Sequence, residues 1–247
     1  MRVLAVLRAA AEAEGPISIK SVAQELGLAQ STVHRMFDLL VSEDFLRQDP
    51  HTRRYGIGAE YYRVATLVAN SHSFGDFAGP SLEWLTEKTG ETAAFALYLH
   101  GTGRMVFTAV SDSPHSLRYR LDARQRFPIV WGASGLAILA FLPEDEQAAV
   151  IAAAEPSPVT GALIDPAALR KRLRGIRKDG WAWSQSEKIP ESVGIAAPVM
   201  SAGRVTGCLA LTIPSFRFDA SILPKYGRLV ADAAEALSVR PGKESDD

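Results

Sequence analysis

Apolar residues recur at helical spacing twice in quick succession near the start of the chain. Val22, Ala23 and Leu26 share one face of a first short segment; Val33, Met36, Phe37 and Leu40 share one face of the next. Ser18 stands before the first segment as an N-cap, with Ile17 placed to staple against Val22. Gly27 follows where a left-handed residue ends a helix, and Leu28 can fold back onto the core. The pattern predicts helix, glycine turn and a second helix from about Gln30 to Ser42. Beyond it, Phe45 to Gln48 and Arg53 to Ile57 read as two short strands around the turn Asp49-Pro50-His51-Thr52.

The second helix turns Ser31, His34, Arg35 and Asp38 away from its apolar stripe. Short hydrogen-bonding groups at its start (Gln30, Ser31, Thr32), followed one turn on by Arg35 and its neighbour His34, suit base edges and phosphates. Helix pairs joined by a glycine turn are common in all-α proteins, so the spacing alone leaves an ordinary helical hairpin open. The strand pair that follows shifts the balance, because a hairpin after a recognition helix is a wing. Arg47, Arg53, Arg54 and His51 would decorate that wing and meet phosphates or the minor groove. The reading is a winged helix-turn-helix that binds double-stranded DNA. Its competitor is a small-molecule sensor or scaffold whose winged helix contacts protein.

Tyr61, Val64, Ala65 and Val68 lie on one face of a helix predicted over 59–71, and the stretch Asn70 to Gly75 is the best boundary. A helix from about Asp76 to Lys88 comes next. Strand signals follow at Thr92 to Leu99, at Arg104 to Val110 after a Gly101-Thr102-Gly103 turn, and at Leu117, Tyr119 and Leu121, which alternate with Arg118, Arg120 and Asp122. Ala133 to Phe141 is a small-residue helix and Pro143 to Ala154 another. Asp165-Pro166 opens a third, basic one that runs to Lys178, whose cations read as a solvated face. Strands at Trp181 to Gln185, Val193 to Met200 and Val205 to Ile213 precede a closing helix marked by Leu223, Leu229, Val230, Ala233 and Leu237. The fold class is α+β, with an antiparallel sheet and flanking helices after the winged helix. The predicted domains are 1–58 (winged helix-turn-helix), 59–74 (linker helix), 75–240 (sensor-like domain) and 241–247 (polar tail).

Composition changes this picture in three ways. The 247 residues, 47% hydrophobic and 22% charged, suit a folded chain of more than one domain, but the net charge of -1 gives no global attraction to nucleic acid. Residues 1–70 hold as many carboxylates as cations, so tight binding needs a paired module and a specific operator. The lone Cys208, in the apolar run Cys208-Leu209-Ala210-Leu211, excludes an internal disulfide and reads as a small buried hydrophobe. No targeting segment or membrane-length apolar run is evident, which predicts a cytoplasmic protein without membrane contact. Catalysis finds no footing. Gly132-Ala133-Ser134-Gly135 fails the G-x-S-x-G spacing because Leu136 takes the last place, the five histidines are scattered, and no phosphate loop occurs. Neither a metal nor a cofactor is expected.

Ser31-Thr32-Val33-His34-Arg35 resembles the start of the recognition helix in the IclR family of bacterial transcription regulators. Arg2-Val3-Leu4-Ala5-Val6-Leu7 is similar to that family's first helix. Gly135-Leu136-Ala137-Ile138-Leu139-Ala140 and Ile195-Ala196-Ala197-Pro198-Val199 are similar to its effector-domain motifs, so the resemblance spans nearly the whole chain. It implies a GAF/profilin-like effector-binding domain over 75–240, a linker helix that pairs subunits into a homodimer or a dimer of dimers, and a small organic acid as effector. Matching the motifs places Trp131, Ala133, Ser134, Ser184, Gln185, Gly194, Ala210 and Thr212 at the pocket. The chain departs from the family pattern at Leu136 (usually Lys), at Ser184 or Gln185 (commonly acidic), at Glu191 (near an expected Gly) and at Gly194 (usually small and polar). With Gly194 and Ala210 lining it and Trp131 and Trp183 near, the expected pocket is wide and apolar, suited to an aromatic or bulky acid.

Overall fold

Ser18 caps the second helix reciprocally: its Oγ accepts from the Ser21 N–H at 3.0 Å, and Ser21 Oγ accepts from the Ser18 N–H at 3.1 Å. This happens in a computed structural model that describes residues 2–13, 15–71, 74–121 and 125–238 and divides into two units, Met1–Ser73 and Phe74–Asp247. The first unit runs α1 (Arg2–Glu12), α2 (Ile19–Leu26), α3 (Gln30–Ser42), β1 (Leu46–Gln48), β2 (Tyr55–Ile57) and α4 (Ala59–Ser71). Gly27 closes α2 at φ 63°, a conformation that costs other residues about 1 kcal/mol or more, and the Leu28 N–H returns to Ala23 O at 2.9 Å. The apolar faces predicted for α2 and α3 meet in one core: Val6, Val22, Val33, Phe37, Leu46 and Tyr55 are buried, and Phe37 meets Tyr55 edge-on at 4.6 Å. β1 and β2 pair antiparallel, Leu46 opposite Ile57. Gly58 carries the chain from wing to α4 so close to Asp44 O that a Cβ there would sit 2.0 Å from it.

The second unit opens with α5 (Phe74–Thr89) and continues through β3 (Thr92–Leu99), β4 (Arg104–Ser111), β5 (Phe127–Pro128), α6 (Gly132–Leu139), α7 (Glu144–Ala152), α8 (Pro166–Asp179), β6 (Ala182–Gln185), β7 (Ser192–Ser201), β8 (Arg204–Pro214) and α9 (Leu223–Leu237). Its six strands form one antiparallel sheet in the order β5-β4-β3-β8-β7-β6. Both faces are covered, which is why β3 and β8 read as continuous apolar runs. Side-chain alternation divides the core: Ala94, Ala96, Tyr98, Cys208 and Ala210 pack with α6 and α8, while Phe95, Leu97, Leu209, Leu211 and Ile213 pack with α5 and α9.

Two expectations are corrected here. Leu117, Tyr119 and Leu121 form no strand, because the edge of β4 that they would extend pairs with Phe127–Pro128. Side chains hold that segment instead: Arg217 donates to Leu117 O at 3.0 Å and the Tyr119 hydroxyl to Pro190 O at 2.8 Å. The alternating Asp122 and the tail 241–247 lie outside the described residues, as do residues 72 and 73 within the expected boundary. The basic helix α8 is not wholly a solvated face. Arg177 donates to Ala140 O and, at 2.9 Å, to Leu142 O, taking up carbonyls just past the end of α6, and Arg172 is drawn into an ion pair with Glu187 at 2.7 Å.

Candidate functional site: an exposed helix and a closed pocket

α3 begins without a side-chain cap, so the N–H groups of its first turn are free of one, and Gln30, Ser31, His34 and Arg35 are exposed along the face opposite Val33, Phe37 and Leu40. Thr32 is half-buried. His34 Nδ1 lies 2.8 Å from Asp38 Oδ2 one turn on, which fixes the imidazole on the helix surface. Gln30, Ser31, His34 and Arg35 share a shallow concave surface with Ile19 and Lys20 from the start of α2. Helical spacing within one segment does not bring in Lys20, because the junction of two helices does. On the wing, Arg47, Arg53 and Arg54 are all exposed. The Asp49 carboxylate accepts from the N–H groups of Thr52 and His51, both at 2.8 Å, which holds it below the usual carboxylate range and ties the turn. Arg53 takes a left-handed φ of 56°, and Arg54 reaches Pro16 O at 3.4 Å.

A second site lies at the N-terminus of α6. Ala133, Ser134, Ser184, Gly194, Ala210 and Thr212 come together there from α6, β6, β7 and β8, joined by Phe107, Glu187, Lys188 and Ser192. The Ala133 N–H donates to Ser184 Oγ at 2.7 Å and the Gly132 N–H to Glu187 Oε2 at 3.2 Å, so the helix start is capped from across the site. Lys188 fills the space. The residue is 9% exposed, its Nζ donates to Ser134 Oγ, and the Nζ stands 5.4 Å and 5.3 Å from the ring centroids of Phe107 and Phe127. Burial pushes the Lys188 ammonium down to about 8 and the neighbouring Cys208 thiol up to about 12. The remaining cavity is about 20 Å³, room for a single water. Among the described residues no cluster could hold a metal ion.

Two family models match the chain: residues 66–239 fit the C-terminal domain of the bacterial transcriptional regulator IclR, and residues 1–50 fit the IclR helix-turn-helix domain. The chain belongs to the IclR family. It is 24% identical to the transcriptional repressor IclR of Escherichia coli, over 98% of this chain and 89% of that one. A putative IclR regulator from Silicibacter sp. TM1040 shares the fold with a TM-score of 0.81 at 24% identity, covering 92% of this chain and 91% of its own. An IclR homologue from Microbacterium hydrocarbonoxydans, solved with 4-hydroxybenzoate, superimposes with a TM-score of 0.74 at 21% identity over 96% of each chain. This IclR-family chain is therefore a transcriptional regulator with a helix-turn-helix DNA-binding domain rather than an enzyme.

In this regulator the pocket differs from the motif-based expectation at particular residues. Trp131 lies beside the cavity, its indole N–H turned to Glu155 O at 2.9 Å. Gln185 is exposed, because its strand neighbour Ser184 points inward and successive side chains alternate. Gly194 does not widen the site. A Cβ there would stand 3.2 Å from that of Ala133, so the missing side chain is what lets α6 approach β7. Lys188 makes the pocket neither wide nor apolar. A lone lysine in the loop Ser186-Glu187-Lys188-Ile189-Pro190 carries no periodic signal, and only the return of that loop over α6 puts it inside.

Proposed function

We propose that this IclR-family regulator is a homodimer that grips an operator through α3 and the wing, and that a small organic acid held at the N-terminus of α6 alters that grip. The observation that carries the effector half is the convergence of Ser134, Ser184, Ser192, Thr212 and Lys188 on one cavity beside a helix start: polar groups brought to a point inside an otherwise apolar domain. The 4-hydroxybenzoate bound by the Microbacterium homologue supports an acid as the class. For the DNA half, Gln30, Ser31, Thr32, His34 and Arg35 supply base-reading and phosphate groups, and Arg47, Arg53 and Arg54 supply cations on the wing.

The dimer is supported by α4, which leaves Tyr62, Leu67 and Val68 65%, 54% and 63% exposed on one short helix. Pairing also answers the charge balance, since a formally neutral module neutralises few phosphates alone. Footprinting on the DNA beside the chain's own gene, with and without small organic acids, tests the reading. A protected two-fold site whose protection changes with an acid is expected; protection indifferent to every acid would remove the effector half, and no protection would remove the operator half.

A further inference from the structure

The cation in the pocket is poorly compensated. An ammonium carries three N–H donors, and Lys188 gives one to Ser134 Oγ while two ring faces, Phe107 on β4 and Phe127 on β5, stand close to it. Among the described residues no carboxylate pairs with it. The nearest candidate in sequence, Glu187, is committed elsewhere: Oε1 to Arg172 at 2.7 Å and Oε2 to the Gly132 N–H at 3.2 Å. On β8, Cys208 faces the same space as a neutral thiol and donates to Ser134 O at 3.4 Å. Glu187, bound to Arg172, acts on Lys188 only through space and makes no ion pair with it, so the ammonium sits out of water without a direct carboxylate partner.

The loop that carries Lys188 is fastened at the backbone. Ser157 Oγ donates to Glu187 O at 2.9 Å, the Ser186 N–H to Ser192 O at 2.8 Å, and the Tyr119 hydroxyl to Pro190 O at 2.8 Å. What can move is the lysine's own four-carbon stem, which rotates without disturbing those bonds. While that stem lies inward there is space for one water and no ligand.

We propose that Lys188 reads the effector: its side chain closes the empty pocket, and as it swings aside its ammonium pairs with the carboxylate of an incoming organic monoacid. The inference rests on the effector pocket proposed above and adds the residue that recognises the acid and the single carboxylate it takes. A carboxylate supplies the partner the cation lacks, and the hydroxyl Ser134 is released to the ligand. A neutral molecule of the same shape would have to leave the ammonium uncompensated in a drier site, so the pocket discriminates by charge before it discriminates by shape.

The test uses the full chain and isothermal titration with acetate, benzoate, 4-hydroxybenzoate and 2-naphthoate, each beside its primary amide. Lys188→Met removes the charge at similar length and Lys188→Arg keeps it; urea unfolding confirms that each variant is folded. The expected result is that the protein as it stands prefers at least one acid over its amide by about tenfold or more, the worth of a hydrogen bond to a charged group. Lys188→Arg keeps the preference and Lys188→Met loses it. A Lys188→Met variant that keeps the full acid preference would overturn the role of Lys188 and leave the effector pocket standing. Acids and amides that alike bind only once Lys188 is gone would make it a plug and overturn the charge reading alone. If no acid and no amide bound any variant, this inference and the effector pocket would fall together.

Discussion

Lys188 makes the stability of the second unit depend on pH in a direction opposite to that of a lysine held charged by a carboxylate partner. Its ordinary pKa is 10.5 and burial lowers it to about 8 in the folded chain. Between those values the unfolded chain holds the proton and the folded chain has lost it, so stability rises with pH across that window. Below pH 8 both states are protonated and the folded state carries the full cost of a buried cation. The two pKa values give a gain of about 2 kcal/mol between pH 7 and pH 9.5 from this one group.

Lys188→Met abolishes the dependence. The measurement is urea unfolding followed by tryptophan fluorescence, which reports on the second unit because Trp84, Trp131, Trp181 and Trp183 all lie there. Taking the difference between the chain and its variant at each pH removes the titrations not coupled to Lys188, including those of the buried Tyr98 and the half-buried Tyr226, whose hydroxyls burial holds above their usual pKa. The expected difference favours the variant most at pH 7 and narrows by about 2 kcal/mol by pH 9.5. A difference that stays constant over that range would refute a buried, charged Lys188.

Three further outcomes are expected. Arg35→Ala weakens specific operator binding by about 1 to 3 kcal/mol if its guanidinium makes a bidentate base contact, read by titration of the mapped site; unchanged affinity rules that contact out. Gly227→Ala destabilises the second unit by about 1 to 3 kcal/mol in urea unfolding, because the added Cβ would stand 2.4 Å from the Trp181 ring on a rigid indole; a neutral result would mean that α9 shifts freely. Glu191→Gly stabilises it by up to about 1 kcal/mol, since Glu191 holds a φ of 51° that glycine adopts without strain, and a loss of stability would show that its side chain matters more than its backbone.

The first unit was almost fully legible because its signals are local. Ser18, Gly27 and the faces of α2 and α3 lie within a few residues of what they control, and the structure places the caps and buried stripe where the pattern puts them. The second unit was legible in its elements and less so in its site. β3, β6, β7 and β8 each fall within a residue or so of their expected bounds, yet Gln185 points out and Trp131 lies to one side, since motif matching fixes a strand but not the direction of one side chain. The false strand at Leu117 to Leu121 has the same origin. Alternation shows a segment that could join a sheet, and the edge it needed belongs to β5.

By itself the sequence determined a winged helix-turn-helix followed by an α+β domain, because caps, turn residues and hydrophobic period act over one or two turns of chain, while the family came from the resemblance of its motifs. Only the tertiary structure decided the character of the pocket. Gly194 is spent on the approach of α6, Arg172 and Arg177 of a seemingly solvated helix turn to Glu187 and to the end of α6, and Lys188 arrives from a loop more than fifty residues beyond Ser134. Charge buried at such a distance leaves no mark on local pattern. Its cost appears only when the chain has closed around it and water is gone.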